Sequence, residues 1–206
     1  SNIKESTYNS FLAANGKQNG KLYNNAGSFI EGQELYGVNA LLTFAMACLE
    51  SGYGTSNYAM QRNNLFGWSA FDSDPDQAAW FDSIDKGVKE HMGINLRGYL
   101  DIQDFRYFGG QLGNKGSGLN VKYAADPYWG LKIASIAYAI DKADNGYNGK
   151  LTDCRQIALG NINTYGTSIL KSPGGAKLYS SEYGATYQVN HIVTLLKEVG
   201  NYYQIQ

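Results

Sequence analysis

The most apolar segment of the chain ends in a carboxylate. Residues 38–49, VNALLTFAMACL, are followed by ESGYG, so that Glu50 stands between an apolar run and two glycines. A helix that is apolar on nearly all sides is typical of the centre of a core. Gly52 and Gly54 can adopt the left-handed conformation that ends helices. We therefore expect Glu50 to emerge from the wall of the core at the end of a buried helix.

A carboxyl in that position is suited to act as an acid. Loss of hydration disfavours its charged form and raises its pKa, and the negative end of the helix dipole acts in the same direction. A glutamic acid that stays protonated near neutral pH can protonate the leaving-group oxygen of a glycosidic bond. The alternative is that Glu50 turns outward and pairs with a lysine or an arginine.

The remaining residue types favour no other catalytic chemistry. The chain has two histidines, His91 and His191, whereas a Ser/His/Asp site needs a histidine base and zinc hydrolases usually need two or three histidine ligands. His91 lies on the inner stripe of a predicted helix, where a packing role is expected. The segment GNKGSG, residues 113–118, lacks the strand and helix that flank a phosphate-binding loop. We predict no metal and no cofactor.

Further helices are needed to position Glu50. The segment 55–64 predicts a short helix capped by Thr55 or Ser56. Residues 83–96 predict an amphipathic helix. Its inward positions are Ile84, Val88, His91 or Met92, and Leu96. Residues 126–144 predict a third helix, with Asp126 as its N-cap and a proline at its first position.

Two regions are predicted to be non-helical. Residues 65–82 indicate strands or extended loop around a turn at 73–76. After residue 157, β-branched and aromatic residues alternate with Gly and Pro turn signals, which is typical of short strands. We therefore divide the chain into a domain of residues 1–157 and a β-rich appendage of residues 158–206. That appendage is small for an independent domain, so it either leans on the first domain or begins a longer module.

Composition excludes several classes of partner. The net charge of −1 favours neither nucleic acid nor a membrane surface, and no apolar run is long enough to span a bilayer. The 17 tyrosines suit either a sugar-binding surface or half-buried strands. Cys48 is expected to be a buried thiol, and two cysteines do not form a disulfide framework. The start SNIKESTYNSF is not a signal peptide, so we expect any secretion signal to lie outside this sequence.

Three separated blocks resemble the bacterial glucosaminidase domain, glycoside hydrolase family 73. The first is the apolar helix with Glu-Ser-Gly-aromatic-Gly-Thr-Ser at residues 50–56. The second is Asn-Asn-Leu-Phe-Gly at residues 63–67, and the third is Tyr-Ala-x-Asp-Pro at residues 123–127. The blocks occur in the family's order, and the resemblance spans roughly residues 28–145.

This resemblance implies a mainly helical, lysozyme-like (α+β) fold with a small β lobe. It implies a glycosidase that cleaves the β-1,4 bond after N-acetylglucosamine in peptidoglycan, with Glu50 as general acid. Tyr123 would lie near the scissile bond, and Asn64 and Phe66 would shape the cleft wall. For Asn64 the alternative is a role in stabilising the turn. Such an autolysin would be secreted or wall-associated, and we expect a monomer.

Other site residues are predicted with alternatives. Tyr53 and Trp68 are candidate sugar-stacking rings or, equally, core residues. Asp126 is expected to cap its helix, with any contact to ligand secondary. The family's second carboxylate, where one is proposed, follows the second block, which favours Asp72 or Asp74. Alternatively, the 2-acetamido group of the substrate acts as the internal nucleophile.

The role of the C-terminal segment and the bond that is cleaved are also predicted with alternatives. TYGTSILKSPGG and VTLLKEVGNYYQIQ resemble bacterial Src-homology-3-like modules, which would bind the wall or tether the catalytic domain; otherwise the segment is a β-rich lid. A muramidase or a lytic transglycosylase of the same fold would also use Glu50. A third alternative is a wall-binding module without turnover, against which the intact motif argues.

Overall fold

The regular structure that is described before residue 145 is helical. In the computed structural model, residues 1–68, 78–144, 158–162, 167–180 and 191–205 are described. The helices are α1 (Glu5–Ala14), α2 (Ala26–Tyr36), α3 (Ala40–Glu50), α4 (Asn57–Arg62), α5 (Ile84–Glu90), a π-helix (His91–Asn95), α6 (Leu96–Leu100), α7 (Asn120–Tyr123) and α8 (Trp129–Asp144). Among the described residues, no helix is long and apolar enough to cross a membrane.

The chain divides into two compact units, Ser1–Asp153 and Cys154–Gln206. The sequence-based boundary after residue 157 stays a prediction. Asp72, Asp74, Cys154 and the predicted turn at 73–76 lie outside the described residues.

The apolar helix α3 occupies the centre of the first unit, as predicted. It packs against α2 and α8. The ring of Phe44 lies 4.5 Å from that of Tyr8 and 5.0 Å from that of Phe29. Cys48 has no exposed surface, and burial raises the pKa of its thiol. The prediction of a buried central helix is confirmed.

A left-handed turn ends α3 directly after Glu50. Gly52, Tyr53 and Gly54 have φ angles of 57°, 64° and 81°. A side chain at Gly54 would place its Cβ 2.6 Å from the backbone nitrogen of Leu22, so the turn lies against the 20–22 segment. The Ser51 hydroxyl accepts a hydrogen bond of 2.7 Å from the Gly54 N–H. The predicted termination by glycines is confirmed.

The predicted helix at 83–96 is interrupted. Ser83 caps it by accepting a hydrogen bond from the Lys86 N–H, and all of the predicted inward residues are buried. The α-helix gives way to the π-helix from His91 onward and resumes at Leu96. At the π-helix, a Cβ on Gly93 would lie 2.7 Å from the ring of Tyr36. The glycine therefore allows this ring to lie directly on the helix backbone.

Two other predicted helices begin where a capping side chain lies. The Ser56 hydroxyl accepts from the Ala59 N–H and caps α4. The Asp126 carboxylate accepts from the Tyr128 N–H at 2.9 Å, and α8 itself begins at Trp129. The start at Trp129 is two residues later than the predicted first helical position, Pro127.

Residues 65–68 and 78–82 are irregular rather than strand-like. The Ala79 N–H bonds the Trp68 carbonyl and joins the two segments, and the Phe81 N–H bonds the carbonyl of Arg62 at the end of α4, each at 3.0 Å. The sequence predicted either strands or an extended loop here, and the described residues form an extended loop.

The second unit contains short antiparallel strands, as predicted. They are β1 (Ala158–Ile162), β2 (Ser168–Leu170), β3 (Lys177–Ser180), β4 (His191–Val199) and β5 (Tyr202–Ile205). One sheet has the order β1-β4-β5, and β2 pairs with β3 in another. A turn at residues 200–201 joins β4 to β5, where Gly200 has a φ of 60°.

Candidate active site

Glu50 meets an indole at the junction of two helices. Its carboxylate oxygen Oε1 accepts a hydrogen bond of 2.6 Å from Trp129 Nε1. Glu50 is the last residue of α3, and Trp129 is the first of α8. Glu50 is half-buried, whereas Trp129 is only 3% exposed. The carboxyl therefore neither points freely into solvent nor pairs with a cation in any contact found among the described residues.

The surroundings of Glu50 favour its protonated form. Burial raises the pKa of its carboxyl, and the hydrogen bond from Trp129 acts in the opposite direction because it stabilises the charged form. Burial is the larger of the two effects. The direction is the one expected from the sequence.

Tyr123 lies beside this pair. Its ring stacks on that of Trp129 at 4.6 Å with an interplanar angle of 28°, and the ring of Tyr99 lies 5.2 Å away. Burial raises the pKa of Tyr123 well above its ordinary value, with the charges of Glu50 and Tyr99 adding to the effect. The phenol is therefore neutral and keeps its O–H as a donor.

A lysine holds the short helix that carries Tyr123. The ammonium group of Lys115 donates to the carbonyls of Asn120, Val121 and Ala124 at 2.9, 3.0 and 2.8 Å. Carbonyls at the end of a helix lack partners within the helix and carry partial negative charge. Lys115 therefore caps α7 at its C-terminal end and fixes the backbone on both sides of Tyr123.

Asn64 organises the turn that follows α4. Its Nδ2 donates to the carbonyls of Trp68 and Ala79 at 2.9 and 3.2 Å. Its Oδ1 accepts from the N–H groups of Phe66 and Trp68 at 3.3 and 3.0 Å. The side chain is 1% exposed, and its two donor hydrogens and two acceptor positions are all used. These bonds give Asn64 the turn-stabilising role and weigh against contact with substrate, which stays a prediction.

Phe66 and His91 join the turn to the interrupted helix. Their rings stack at 3.6 Å with an interplanar angle of 4°, and His91 meets Tyr123 edge to face at 6.3 Å. Complete burial lowers the pKa of His91 to about 3. Its Nδ1 lies 3.1 Å from Asn95 Nδ2, and its Nε2 has no hydrogen-bond partner. His91 is thus a neutral packing residue, as predicted.

The three remaining candidate binding residues, Trp68, Tyr53 and Asp126, each make contacts of their own. Trp68 is half-buried with its ring 5.8 Å from that of Phe81. Tyr53 is half-buried, with its ring 6.3 Å from that of Phe11. Asp126 pairs with Lys132 at 2.6 Å, and hydrogen bonds from Lys132 and from the Tyr128 N–H lower the pKa of its carboxyl. Sugar binding by these residues stays a prediction.

Two aromatic residues of the site were not singled out from the sequence. Trp129 lies two residues after the Tyr-Ala-x-Asp-Pro block, and a tryptophan at the start of a helix beside that block was an available signal. Tyr99 has no comparable signal, because its contact with Tyr123 depends on how α6 meets α7. Within the described ranges, no group of three or more His, Cys, Asp or Glu side chains could hold a metal ion.

Comparison with known proteins gives three results. The sequence profile of the glucosaminidase family, described as mannosyl-glycoprotein endo-beta-N-acetylglucosaminidase, matches residues 26–142. Two Streptococcus pneumoniae proteins named "Putative endo-beta-N-acetylglucosaminidase", one from a serotype 4 strain and one from strain R6, are each 43% identical over 129 residues. That alignment covers 62% of this chain but only 19% and 18% of those relatives.

The third result concerns the fold. The crystal structure of a catalytic mutant of Staphylococcus aureus Autolysin E in complex with the disaccharide NAG-NAM superimposes with a TM-score of 0.50 at 24% identity. The match covers 68% of this chain and 67% of that chain. It confirms the predicted class, a mainly helical, lysozyme-like fold.

Proposed function

Because this chain belongs to the glucosaminidase family, we propose that it is an endo-β-N-acetylglucosaminidase of glycoside hydrolase family 73. Its substrate is the glycan strand of bacterial peptidoglycan, and it cleaves the β-1,4 bond after N-acetylglucosamine. Two relatives carry the name of that activity. The observation that carries the proposal is the half-buried Glu50 carboxyl, whose pKa is raised by burial at the end of the core helix.

Glu50 acts as the general acid. Its proton passes to the glycosidic oxygen as the bond from that oxygen to the anomeric carbon breaks, and positive charge develops on the sugar ring. The leaving sugar departs as an alcohol, and Glu50 becomes a carboxylate. A water molecule supplies the hydroxyl that completes hydrolysis, and its proton goes to the base that activates it. Glu50 ends the cycle protonated, either because it is that base or by exchange with solvent.

The attack on the anomeric carbon can occur in two ways. Asp72 or Asp74 would activate the water directly, since an inverting enzyme places its base on the opposite face of the sugar. Alternatively, the 2-acetamido group of the substrate forms the new bond first, and water then opens the ring so formed. In either case Tyr123, whose phenol is neutral, orients the acetamide or the water through its O–H.

The second unit serves attachment. Its antiparallel strands and turn signals support a Src-homology-3-like module that binds the wall or tethers the catalytic unit to it. Such an enzyme acts outside the membrane, on the cell wall, as a monomer.

A muropeptide digest tests the function. Purified cell walls are treated with the protein, reduced with borohydride and analysed by mass spectrometry. Reduced glucosamine ends are the expected result. Reduced muramic acid ends would identify a muramidase, anhydro ends a transglycosylase, and binding without new ends a wall-binding module; each would overturn the proposal.

A variant pair tests the acid. We expect Glu50→Gln to fold normally and to lose about 10²- to 10⁴-fold in turnover, because general acids contribute that much. Glu34→Gln, the same change at an exposed position of α2, is the matched control and should retain full activity. Turnover of Glu50→Gln close to that of the unmodified protein would remove Glu50 from the mechanism.

A further inference from the structure

The bond between Trp129 and Glu50 can form in one direction only. An indole nitrogen carries a hydrogen and cannot accept, so Trp129 donates and Oε1 of Glu50 accepts, at 2.6 Å. A protonated carboxyl has one oxygen that bears the hydrogen and one that does not. Because the carbonyl oxygen of a carboxyl accepts a hydrogen bond more strongly than its hydroxyl oxygen does, the bond from the indole favours the form in which Oε1 carries no hydrogen.

We propose that Trp129 is a positioning residue that assigns the proton of Glu50 to Oε2 and stabilises the carboxylate that remains after proton transfer. This inference rests on the proposed function, because it concerns the acid step of that reaction. The indole fixes the orientation of the carboxyl, and Oε2–H is the group that meets the glycosidic oxygen.

The bond becomes stronger as the reaction proceeds. Before transfer, Oε1 belongs to a neutral acid. Once the proton has left Oε2, the negative charge is shared by both oxygens, and the bond from Trp129 becomes charge-assisted. An interaction that is stronger in the transition state than in the ground state raises kcat rather than lowering KM alone.

The indole is held firmly enough to perform this role. Its ring stacks on Tyr123, and Trp129 opens α8. The next residue, Gly130, lies against the glycine-rich loop: a Cβ there would be 2.2 Å from the carbonyl oxygen of Gly113. That contact fixes the start of α8 and gives the glycine-rich loop, which lacks the context for phosphate binding, a function in placing the indole.

Replacing Trp129 by phenylalanine removes the N–H and keeps an aromatic ring against Tyr123. We expect kcat to fall roughly ten- to a hundredfold, the effect of losing one hydrogen bond to a charged group, while KM changes little. The alkaline limb of the kcat profile should move to higher pH, because the lost bond favours the charged form of Glu50. Trp80→Phe, the same change at a residue that is 68% exposed, is the control.

A purely structural role for Trp129 would lower activity and melting temperature without moving the alkaline limb, and that result would overturn the inference. A second measurement needs no tryptophan variant. The indole N–H resonance of Trp129 in the ¹⁵N-labelled protein should titrate with Glu50 and stop titrating in Glu50→Gln. A resonance that is insensitive to pH would also overturn the inference.

The two proposals fail separately. Absence of glucosaminidase products with the unmodified protein would remove the proposed function, even where the indole resonance titrates. Normal cleavage combined with an unmoved limb in Trp129→Phe would remove only the role of the indole.

Discussion

Burial of the Glu50 carboxyl affects the stability of the fold as well as its chemistry. The pKa of Glu50 is raised in the folded protein, so the folded state holds this proton to higher pH than the unfolded chain does. As pH rises above the ordinary pKa of glutamic acid, the unfolded chain loses the proton first, and the free energy of unfolding decreases. The decrease is complete once pH exceeds the raised pKa.

We therefore expect Glu50→Gln to be more stable than the unmodified protein at about pH 7.5, and the difference to vanish at about pH 4. Glutamine keeps an oxygen that can accept from Trp129 and carries no charge to desolvate. Urea unfolding at the two pH values measures the effect, with Glu34→Gln as the control. Equal stability at both values would contradict the raised pKa.

The residue scale also shows where sequence reasoning succeeds and where it stops. Glu50 could be found because its setting is local: an apolar helix before it and glycines after it fix both burial and helix end. The contact of Trp129 with Glu50 could not be predicted, because this hydrogen bond joins residues that lie 79 positions apart in the sequence. Its geometry depends on how α3 and α8 pack, which periodicity does not specify.

Among the elements, the turn at 64–68 depends on a single side chain. Asn64 bonds backbone groups on both sides of the turn and in the 78–82 segment, so its removal takes a hydrogen-bond partner from buried and partly buried backbone groups. Such groups cost about 1–3 kcal/mol each when unpaired, although relaxation and water recover part of that.

We expect Asn64→Ala to lower the free energy of unfolding by about 2–3 kcal/mol. Asn57→Ala, at the exposed first residue of α4, should change it little. Thermal or urea unfolding of both variants gives the comparison. A variant with unchanged stability and a raised KM would instead show that Asn64 binds substrate.

The short helix α7 is too short to be stable by itself, since isolated helices of this length do not persist in water. We expect Lys115→Met to lower the free energy of unfolding by about 1 kcal/mol, which for a chain of this size is roughly 2–4 °C in melting temperature. Lys4→Met, at an exposed lysine before α1, should leave it unchanged. Calorimetry of the two variants checks this, and equal melting temperatures would show that Lys115 does not support α7.

The helices themselves were predictable to different degrees. Ser56 could be recognised as a candidate cap because side-chain capping is a local property, whereas the cap at Ser83 was not singled out. The π-helix at His91–Asn95 could not be recognised, because it accompanies a ring from α2 that lies on Gly93. A pattern with a period of 3.6 marks the buried face correctly and carries no information about such an inserted residue.

On the scale of the whole molecule, the family match and the proposed catalytic residues fall in the same unit. The profile matches residues 26–142, and the described buried core lies between Ile3 and Ile140. The first unit, Ser1–Asp153, therefore has its own core.

We expect a chain that ends at Asp153 to unfold cooperatively and to cleave a short soluble glycan within about threefold of the full chain, as separate domains usually permit. Its binding to insoluble peptidoglycan should fall. Turnover and sedimentation with cell walls measure the two properties. Undiminished sedimentation would locate wall binding in the first unit.

Cys48 gives the core helix a chemical reporter of its own. The thiol lies two residues before Glu50, has no exposed surface, and ionises less readily than a free cysteine. Alkylating reagents should therefore reach it only when α3 leaves its surroundings. In a Cys154→Ser protein, the rate of modification would measure how often those openings occur, and a glycan bound beside Glu50 should make them rarer.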